Sequence, residues 1–164
     1  MIREMKGDLI RDGRGILCHQ VNYLGVMGGG IALSIKDKLL TDKQYKCYQA
    51  ECLSYGSETL GEVMYMTCKD GRIVANMFSQ NDFSAFRNGD ITNYEAMEKC
   101  FRGIRAYAEQ HNLPVSIPGY IGCGIAGGDW HHVMGIIYSV FQDSNVDVMI
   151  VYWEKRREKT YDTE

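Results

Sequence analysis

The sequence has only two prolines, no CxxC pair among its six cysteines and no long apolar run. A membrane-spanning helix needs about 18 or more consecutive apolar residues, so we predict no membrane association. Scattered cysteines without a signal peptide are typical of a reducing cytoplasm, where thiols serve as small apolar packing groups. A zinc site needs clustered ligands, and the sequence shows no such cluster. We therefore expect a cytoplasmic protein with no bound metal.

Excess positive charge is also missing. The 164 residues carry a formal net charge of −3. Proteins that bind nucleic acid or acidic membranes without specificity need a basic surface, so the composition excludes those classes. Basic residues are frequent in the tail, but acidic residues interrupt them, and we interpret 155–164 as a charged, solvated C-terminal tail. Residues 1–154 suffice for one domain, and nothing in the sequence demands an oligomer, so we expect a monomer.

Short apolar segments alternate with helical patterns along the chain. We predict strands in "MIREMKGDLI", "GILCHQVN", "LPVSIPGY" and "VDVMIVYW", and a hairpin in "GEVMYMTCKDGRIVANMFSQ" that turns at an Asp-Gly pair. Apolar spacing predicts helices over 28–40 and 42–53, and a third that begins at Thr92 with a capping box to Glu95. A last helix buries Val133, Ile136, Ile137, Val140 and Phe141. This alternation indicates a three-layer α/β/α domain with a central mixed sheet of about six strands.

Two glycine-rich stretches each stand between a predicted strand and a predicted helix. "VNYLGVMGGGIAL" has four glycines in six positions, and "PGYIGCGIAGGDW" contains the spacing GxGxxG. A helix start offers free amides and the positive end of a dipole, and loops after strands converge at one sheet edge. We predict that the two loops hold two phosphates or one diphosphate. The alternative is that the glycines only permit tight turns and close packing.

Known nucleotide-binding motifs fit these loops poorly. Neither loop contains the lysine of a P-loop, which argues against ATP chemistry. Gly122, Gly124 and Gly127 match GxGxxG, yet further βαβ units would normally follow such a motif in a dinucleotide-binding domain, and here the chain stops. A dinucleotide-binding oxidoreductase stays an alternative.

Several segments together resemble the macrodomain family. They are "KGDL", "CHQVN" followed by "GVMGGGIAL", "IGCGIAGGDW" and a last strand that ends in an aromatic residue. Their order and spacing are similar to the branch that includes the terminal ADP-ribose protein glycohydrolase and the yeast ADP-ribose 1''-phosphate phosphatase. The resemblance implies ADP-ribose or an ADP-ribosylated substrate as partner, no cofactor, and hydrolysis at the distal ribose by de-ADP-ribosylation or 1''-phosphate removal. A non-catalytic ADP-ribose reader is the alternative.

The resemblance also implies residues that bind ADP-ribose. Asp8 accepts a hydrogen bond from the adenine amino group, or else caps a turn. Tyr152 packs on the adenine, or else belongs to the core. The first glycine loop wraps the distal ribose and one phosphate, and the second cradles the other phosphate. The implied set is Asp8, Leu9, Asn22, Gly25, Val26, Met27, Gly28, Gly29, Gly30, Ile31, Gly122, Cys123, Gly124, Ile125, Ala126, Gly127 and Tyr152.

Three residues are candidates for catalysis: His19, Asn22 and Asp129. Asn22 matches a family asparagine beside the distal ribose. His19 matches a histidine of the phosphatase, which can protonate a leaving group or orient water near neutral pH; the alternative is a buried structural histidine. The family's nucleophilic lysine is missing from "NMFSQ", and Ala126 stands where its partner aspartate falls. Asp129 is then a stand-in acid or base, or only an acid that starts a helix.

Other residues near the loops carry weaker predictions. Helix amides beside Cys123 can lower a thiol pKa, although we favour a packing role for this side chain. His131 and His132 are expected at the surface. The long loop from Phe78 to about Ile91 is either a lid over the distal ribose or a plain surface loop.

Overall fold

The computed structural model describes residues 1–82 and 91–155. The strands are β1 (Ile2–Gly7), β2 (Ile16–Val21), β3 (Val63–Thr67), β4 (Ile73–Phe78), β5 (Val115–Pro118) and β6 (Val148–Trp153). The helices are α1 (Leu9–Asp12), α2 (Gly30–Lys38), α3 (Asp42–Tyr55), α4 (Tyr94–His111) and α5 (Trp130–Phe141), with a 3₁₀ turn at Gly56–Thr59. Most of the predicted lid, 83–90, and the tail beyond Lys155 lie outside the described residues.

The strands form one mixed sheet in the order β1-β6-β5-β2-β4-β3. Every pairing between these six strands is parallel except that of β3 with β4, the predicted hairpin. Five strands therefore end along the same side of the sheet, which we call the carboxyl edge. The loops that leave this edge are the ones that carry the two glycine clusters. The predicted mixed α/β sheet is confirmed.

Helices cover both faces of the sheet. Helices α4 and α5 pack on one face, where α5 buries the predicted residues Val133, Ile136, Ile137, Val140 and Phe141. The opposite face is covered by α1, α2 and α3, which contribute Leu9, Ile35, Tyr48 and Cys52 to a second core. Burial of a large apolar side chain contributes about 1.5–3 kcal/mol, so two cores hold the sheet rigidly between the layers.

The start of the chain differs from its prediction. The first strand ends at Gly7 instead of continuing to residue 10, because Asp8 caps the short helix α1. Its Oδ1 accepts hydrogen bonds from the backbone amides of Ile10 and Arg11, at 2.9 and 3.4 Å. A single helical turn has too few residues to show a helical period, which is why the sequence pattern did not indicate it.

The boundaries of two other helices differ as well. Helix α2 begins at Gly30 and not at residue 28, because Gly29 is still extended, with φ −157°. The predicted capping box at Thr92 is wrong. Asn93 caps α4 and accepts a hydrogen bond from the amide of Ala96 at 2.9 Å, because an asparagine side chain caps as well as a threonine does. The Thr92 hydroxyl instead donates a hydrogen bond to the carbonyl of Gly122.

Candidate functional site

The carboxyl edge brings together the ends of β1, β2, β5 and β6. The first loop, residues 22–29, follows β2, and the second loop, residues 119–129, follows β5. Asp8 follows β1, and Trp153 ends β6 directly opposite Gly7 in the strand register. Because β2 and β5 are adjacent strands, the two glycine loops are neighbours, as the sequence predicts.

Asn22 folds the first loop with its own side chain. Its Nδ2 donates to the carbonyl of Val26 at 2.8 Å, and its Oδ1 accepts from the amide of Leu24 at 3.0 Å. Met27 is almost fully buried and anchors the far end of the loop. The polar atoms of Asn22 that the family resemblance assigns to the ribose therefore shape the loop.

Helix α3 supports the first loop from below. The Tyr48 hydroxyl donates to the Asn22 carbonyl at 2.7 Å and lies 2.9 Å from its Oδ1. Tyr45 and Gln49 each donate to the carbonyl of Gly25, at 3.1 Å in both cases. These three side chains were not among the predicted site residues. Their spacing along one helical face was the available signal, although it could not show that the face meets this loop.

The second loop is held by a buried polar network. The Thr92 hydroxyl donates to the carbonyl of Gly122 at 2.6 Å. Gln20, on β2, donates to the carbonyl of Ser79 at 3.0 Å and accepts from Gln80 Nε2 at 3.0 Å. The Gln20 amide also lies 3.4 Å from the Thr92 hydroxyl. Sequence reasoning missed Gln20 and Thr92, whose contacts are far apart in the chain.

The glycines of the two loops fall into two kinds. A Cβ at Gly122 would lie 2.9 Å from the Thr92 hydroxyl, and one at Gly128 would lie 2.5 Å from the Gly122 carbonyl oxygen. The fold itself requires these two glycines. A Cβ at Gly29 or at Gly124 would meet no atom of the described chain within 4 Å. Neither tight packing nor a positive φ explains why glycine stands at these two positions. Both lack a side chain where the loops face open space.

The predicted catalytic side chains differ in their surroundings. His19 is fully buried, and its Nε2 lies 2.6 Å from Asn76 Oδ1, while its Nδ1 has no hydrogen-bond partner among the described residues. Burial lowers the pKa of His19 to about 4, against a smaller opposing effect of the Asn76 hydrogen bond. Asp129 is exposed and caps α5, accepting from the amide of His131 at 2.9 Å. These surroundings match the structural alternatives weighed for both residues.

The end of the edge near β1 and β6 is rich in aromatic residues. The Tyr152 hydroxyl donates to Glu4 Oε1 at 2.8 Å, and its ring packs edge-on against Trp130, with centroids 6.0 Å apart. Trp153, which was not predicted, is 74% exposed beside Asp8. Leu9 is buried in the core. The strand register therefore places the ends of β1 and β6, with Asp8 and these aromatic residues, side by side at the carboxyl edge.

The surroundings of Cys123 favour the packing role over an activated thiol. Burial, together with the negative charge of Asp129, raises its pKa to about 11, whereas an activated thiol has a lowered pKa. His131 and His132 are exposed as predicted, and the His132 ring stacks on Tyr94 with centroids 3.9 Å apart.

Cavities, metal-ligand clusters and long apolar helices are other features that can indicate a function. Cavities of about 460 and 350 Å³ lie away from both loops, one at the amino ends of β5 and β6 and one beside α3 and β3. Within 1–82 and 91–155, no three His, Cys, Asp or Glu side chains are placed to hold a metal ion. The described helices include none with both the length and the apolar character of a membrane span.

Fold and edge together define an α/β/α domain with paired glycine loops at the carboxyl ends of adjacent parallel strands. No model of a known protein family matches the sequence, and no curated protein matches it. Solved structures do. A Bacteroides thetaiotaomicron protein is 28% identical, with a TM-score of 0.81 over 94% of this chain and 100% of its own.

Two further neighbours specify the fold. The macrodomain of Mycobacterium tuberculosis DarG is 26% identical, with a TM-score of 0.77 over 94% of this chain and 99% of its own. Thermosipho africanus DarTG, solved in complex with ADP-ribose, is 18% identical, with a TM-score of 0.70 over 95% of this chain and 43% of its own. This chain therefore has the macrodomain fold.

Proposed function

We propose that this chain binds ADP-ribose along the carboxyl edge. The proposal is carried by two glycines on neighbouring loops, Gly29 and Gly124, whose backbone faces open space without a side chain. Backbone amides approach a phosphate closely only where no side chain intervenes. A structural neighbour was solved with ADP-ribose, and its fold is the fold of this chain. The diphosphate then lies between the two loops, with the distal ribose at the first loop.

The base lies at the other end of the edge in this proposal. Asp8 Oδ1 is occupied by two backbone amides, and its Oδ2 has no hydrogen bond to another described residue. A carboxylate oxygen accepts hydrogen bonds only, which suits the amino group of adenine. Tyr152 and the exposed Trp153, at the end of the adjacent strand β6, supply aromatic surface. The nucleobase is therefore recognised by Asp8 together with these rings.

A test of binding uses Gly29→Glu. Because Gly29 is extended, at φ −157°, glutamate fits the backbone there without strain. Its side chain would occupy the phosphate position and repel the anion, so we expect an affinity loss of about 100-fold or more in titration calorimetry, with the melting temperature unchanged. Gly103→Glu is the matched control, because Gly103 also faces open space but lies on α4. Full affinity in Gly29→Glu would contradict the placement of the phosphate.

Hydrolysis at the distal ribose is the second proposal, with a linkage to a carboxylate or a phosphate as substrate. Asp129 is the only exposed side chain among the three predicted catalytic residues. Its carboxylate takes a proton from water, the water oxygen bonds to C1'', and the bond from C1'' to the leaving oxygen breaks. A domain that binds ADP-ribose without this step would be a reader, in line with the missing lysine of the branch.

One assay separates the enzyme from the reader. Release of free ADP-ribose is measured from a glutamate-linked mono-ADP-ribosylated protein and from ADP-ribose 1''-phosphate. Asp129→Asn keeps the helix cap, because asparagine caps as well as aspartate, so we expect it to lose release and keep binding. Loss in His19→Ala but not in Asp129→Asn would transfer the role to His19. Binding by the wild type without any release would make the chain a reader.

Cytoplasmic location and a monomeric state stay predictions from the sequence.

A further inference from the structure

Tyr120 has an unusual backbone conformation. Among the described non-glycine residues, only Asn112 and Tyr120 have a positive φ, at 52° and 62°. Asn112 is the left-handed C-cap of α4, a common position for asparagine. A bulky aromatic residue in this region is a true outlier, and such outliers cluster at ligand sites. Tyr120 is also 60% exposed, so burial of its ring does not account for the strained backbone.

Neighbouring rings hold the Tyr120 side chain upright at the carboxyl edge. Its ring centroid lies 5.3 Å from that of Trp130 and 5.4 Å from that of Tyr152, and the Tyr152 ring meets it edge-on at 69°. Gly119 makes this arrangement possible, because a Cβ there would lie 2.4 Å from Tyr152 Cδ1. The three rings form one cluster with its Tyr120 side open to solvent.

The cluster lies between the two ends of the proposed ligand. Tyr120 follows β5 and precedes Gly122 of the second loop by two residues. Strand β5 is separated from β1, and so from Asp8, by β6 alone. Neighbouring strands are about 4.8 Å apart, so about 10 Å separates the two strand ends. That distance fits a nucleoside that joins a base at Asp8 to a diphosphate at the second loop.

We propose that Tyr120 is a binding residue for the nucleoside half of a nucleoside diphosphate ligand, with its ring packed against the nucleobase. This inference rests on the proposed ADP-ribose site and extends it to Tyr120, a residue of the second loop that was not among the predicted binding residues. The left-handed backbone turns the side chain toward the ligand. Ring packing of this kind tolerates different bases because every base has a π-face.

The test compares Tyr120→Asn and Tyr120→Gly with the wild type, because both residues accept a left-handed backbone. Dissociation constants are measured for ADP-ribose and for ADP, which share the adenosine half. We expect both constants to rise about tenfold and their ratio to stay the same, while the melting temperature stays unchanged or rises. Tyr138→Asn is the control, because Tyr138 is exposed on α5.

The outcomes separate this inference from the proposal beneath it. A wild type that binds neither ligand overturns the proposed function and the role of Tyr120 with it. Wild-type affinity in both Tyr120 variants overturns the role of Tyr120 alone and leaves ADP-ribose binding in place. A loss for ADP-ribose without a loss for ADP also overturns it, because the contact would then not be with the adenosine half.

Discussion

Replacement of Tyr48 by phenylalanine tests whether α3 orders the first loop. The change removes one hydroxyl, which donates to the Asn22 carbonyl at 2.7 Å and lies 2.9 Å from Asn22 Oδ1, and it leaves the buried ring in place. A lost hydrogen bond costs about 0.5–1.5 kcal/mol, and an acceptor left unpaired adds to that cost. We expect the free energy of unfolding to fall by about 1–2 kcal/mol, which lowers the melting temperature by roughly 2–8 °C in a domain of this size.

The same substitution is expected to weaken binding. If ADP-ribose binds only the ordered loop, its affinity falls by no more than the free energy lost in the loop, about 5- to 30-fold for 1–2 kcal/mol. Thermal melting and titration calorimetry are measured on the same samples. Tyr138→Phe is the control, because Tyr138 is exposed and its hydroxyl has no hydrogen bond to the rest of the described chain. A lower melting temperature with unchanged affinity would refute the link between loop order and binding, and an unchanged melting temperature would refute the hydrogen bond itself.

Three further substitution sets test the loops and the buried histidine. Because the pKa of His19 is lowered to about 4, the unfolded chain takes up a proton at a higher pH than the folded chain does. Between pH 6.5 and 4 the free energy of unfolding, measured by denaturant titration, should therefore fall by about 3 kcal/mol more in the wild type than in His19→Gln. Gly128→Ala should lower the melting temperature, since its Cβ would lie 2.5 Å from the Gly122 carbonyl oxygen, whereas Gly124→Ala should leave stability unchanged and weaken only ADP-ribose binding. Thr92→Val should cost about 1–2 kcal/mol of stability through the 2.6 Å bond to Gly122, and equal melting curves would contradict that contact.

Local patterns predicted most of the fold but not the contacts that shape the site. The order of strands and helices, the hairpin and the buried face of α5 all follow from periodicity within short windows. The place of the candidate site, at the two glycine loops, was predicted from the rule that ligands bind beyond the carboxyl ends of parallel strands. The sequence cannot show that Gly29 faces open space while Gly128 packs against the backbone of Gly122. Glycine is found at both kinds of position, so only the structure distinguishes them.

The side chains that organise the loops were harder to predict because their partners are distant in sequence. Tyr48 contacts a residue 26 positions away, and Gln20 contacts a carbonyl 59 positions away. The error at Thr92 has the same origin. The capping-box pattern is local, and it did not reveal that the hydroxyl bonds to Gly122, 30 positions later. The burial of His19 could not be read from its position in an apolar strand, because a strand end can be either buried or open.

The two loops rest on opposite layers of the sandwich, and this has a consequence for how such a domain changes over time. The first loop depends on α3, while the second depends on Thr92 at the start of α4 and on the sheet residue Gln20. The hydrogen bonds of the two supports involve different residues, so we expect substitutions in them to have nearly additive effects on ligand affinity. In the proposed binding mode, selection can therefore alter the first loop, which meets the distal ribose, while the second loop keeps its shape. The two ends of the carboxyl edge are in this sense separately adjustable parts of one surface.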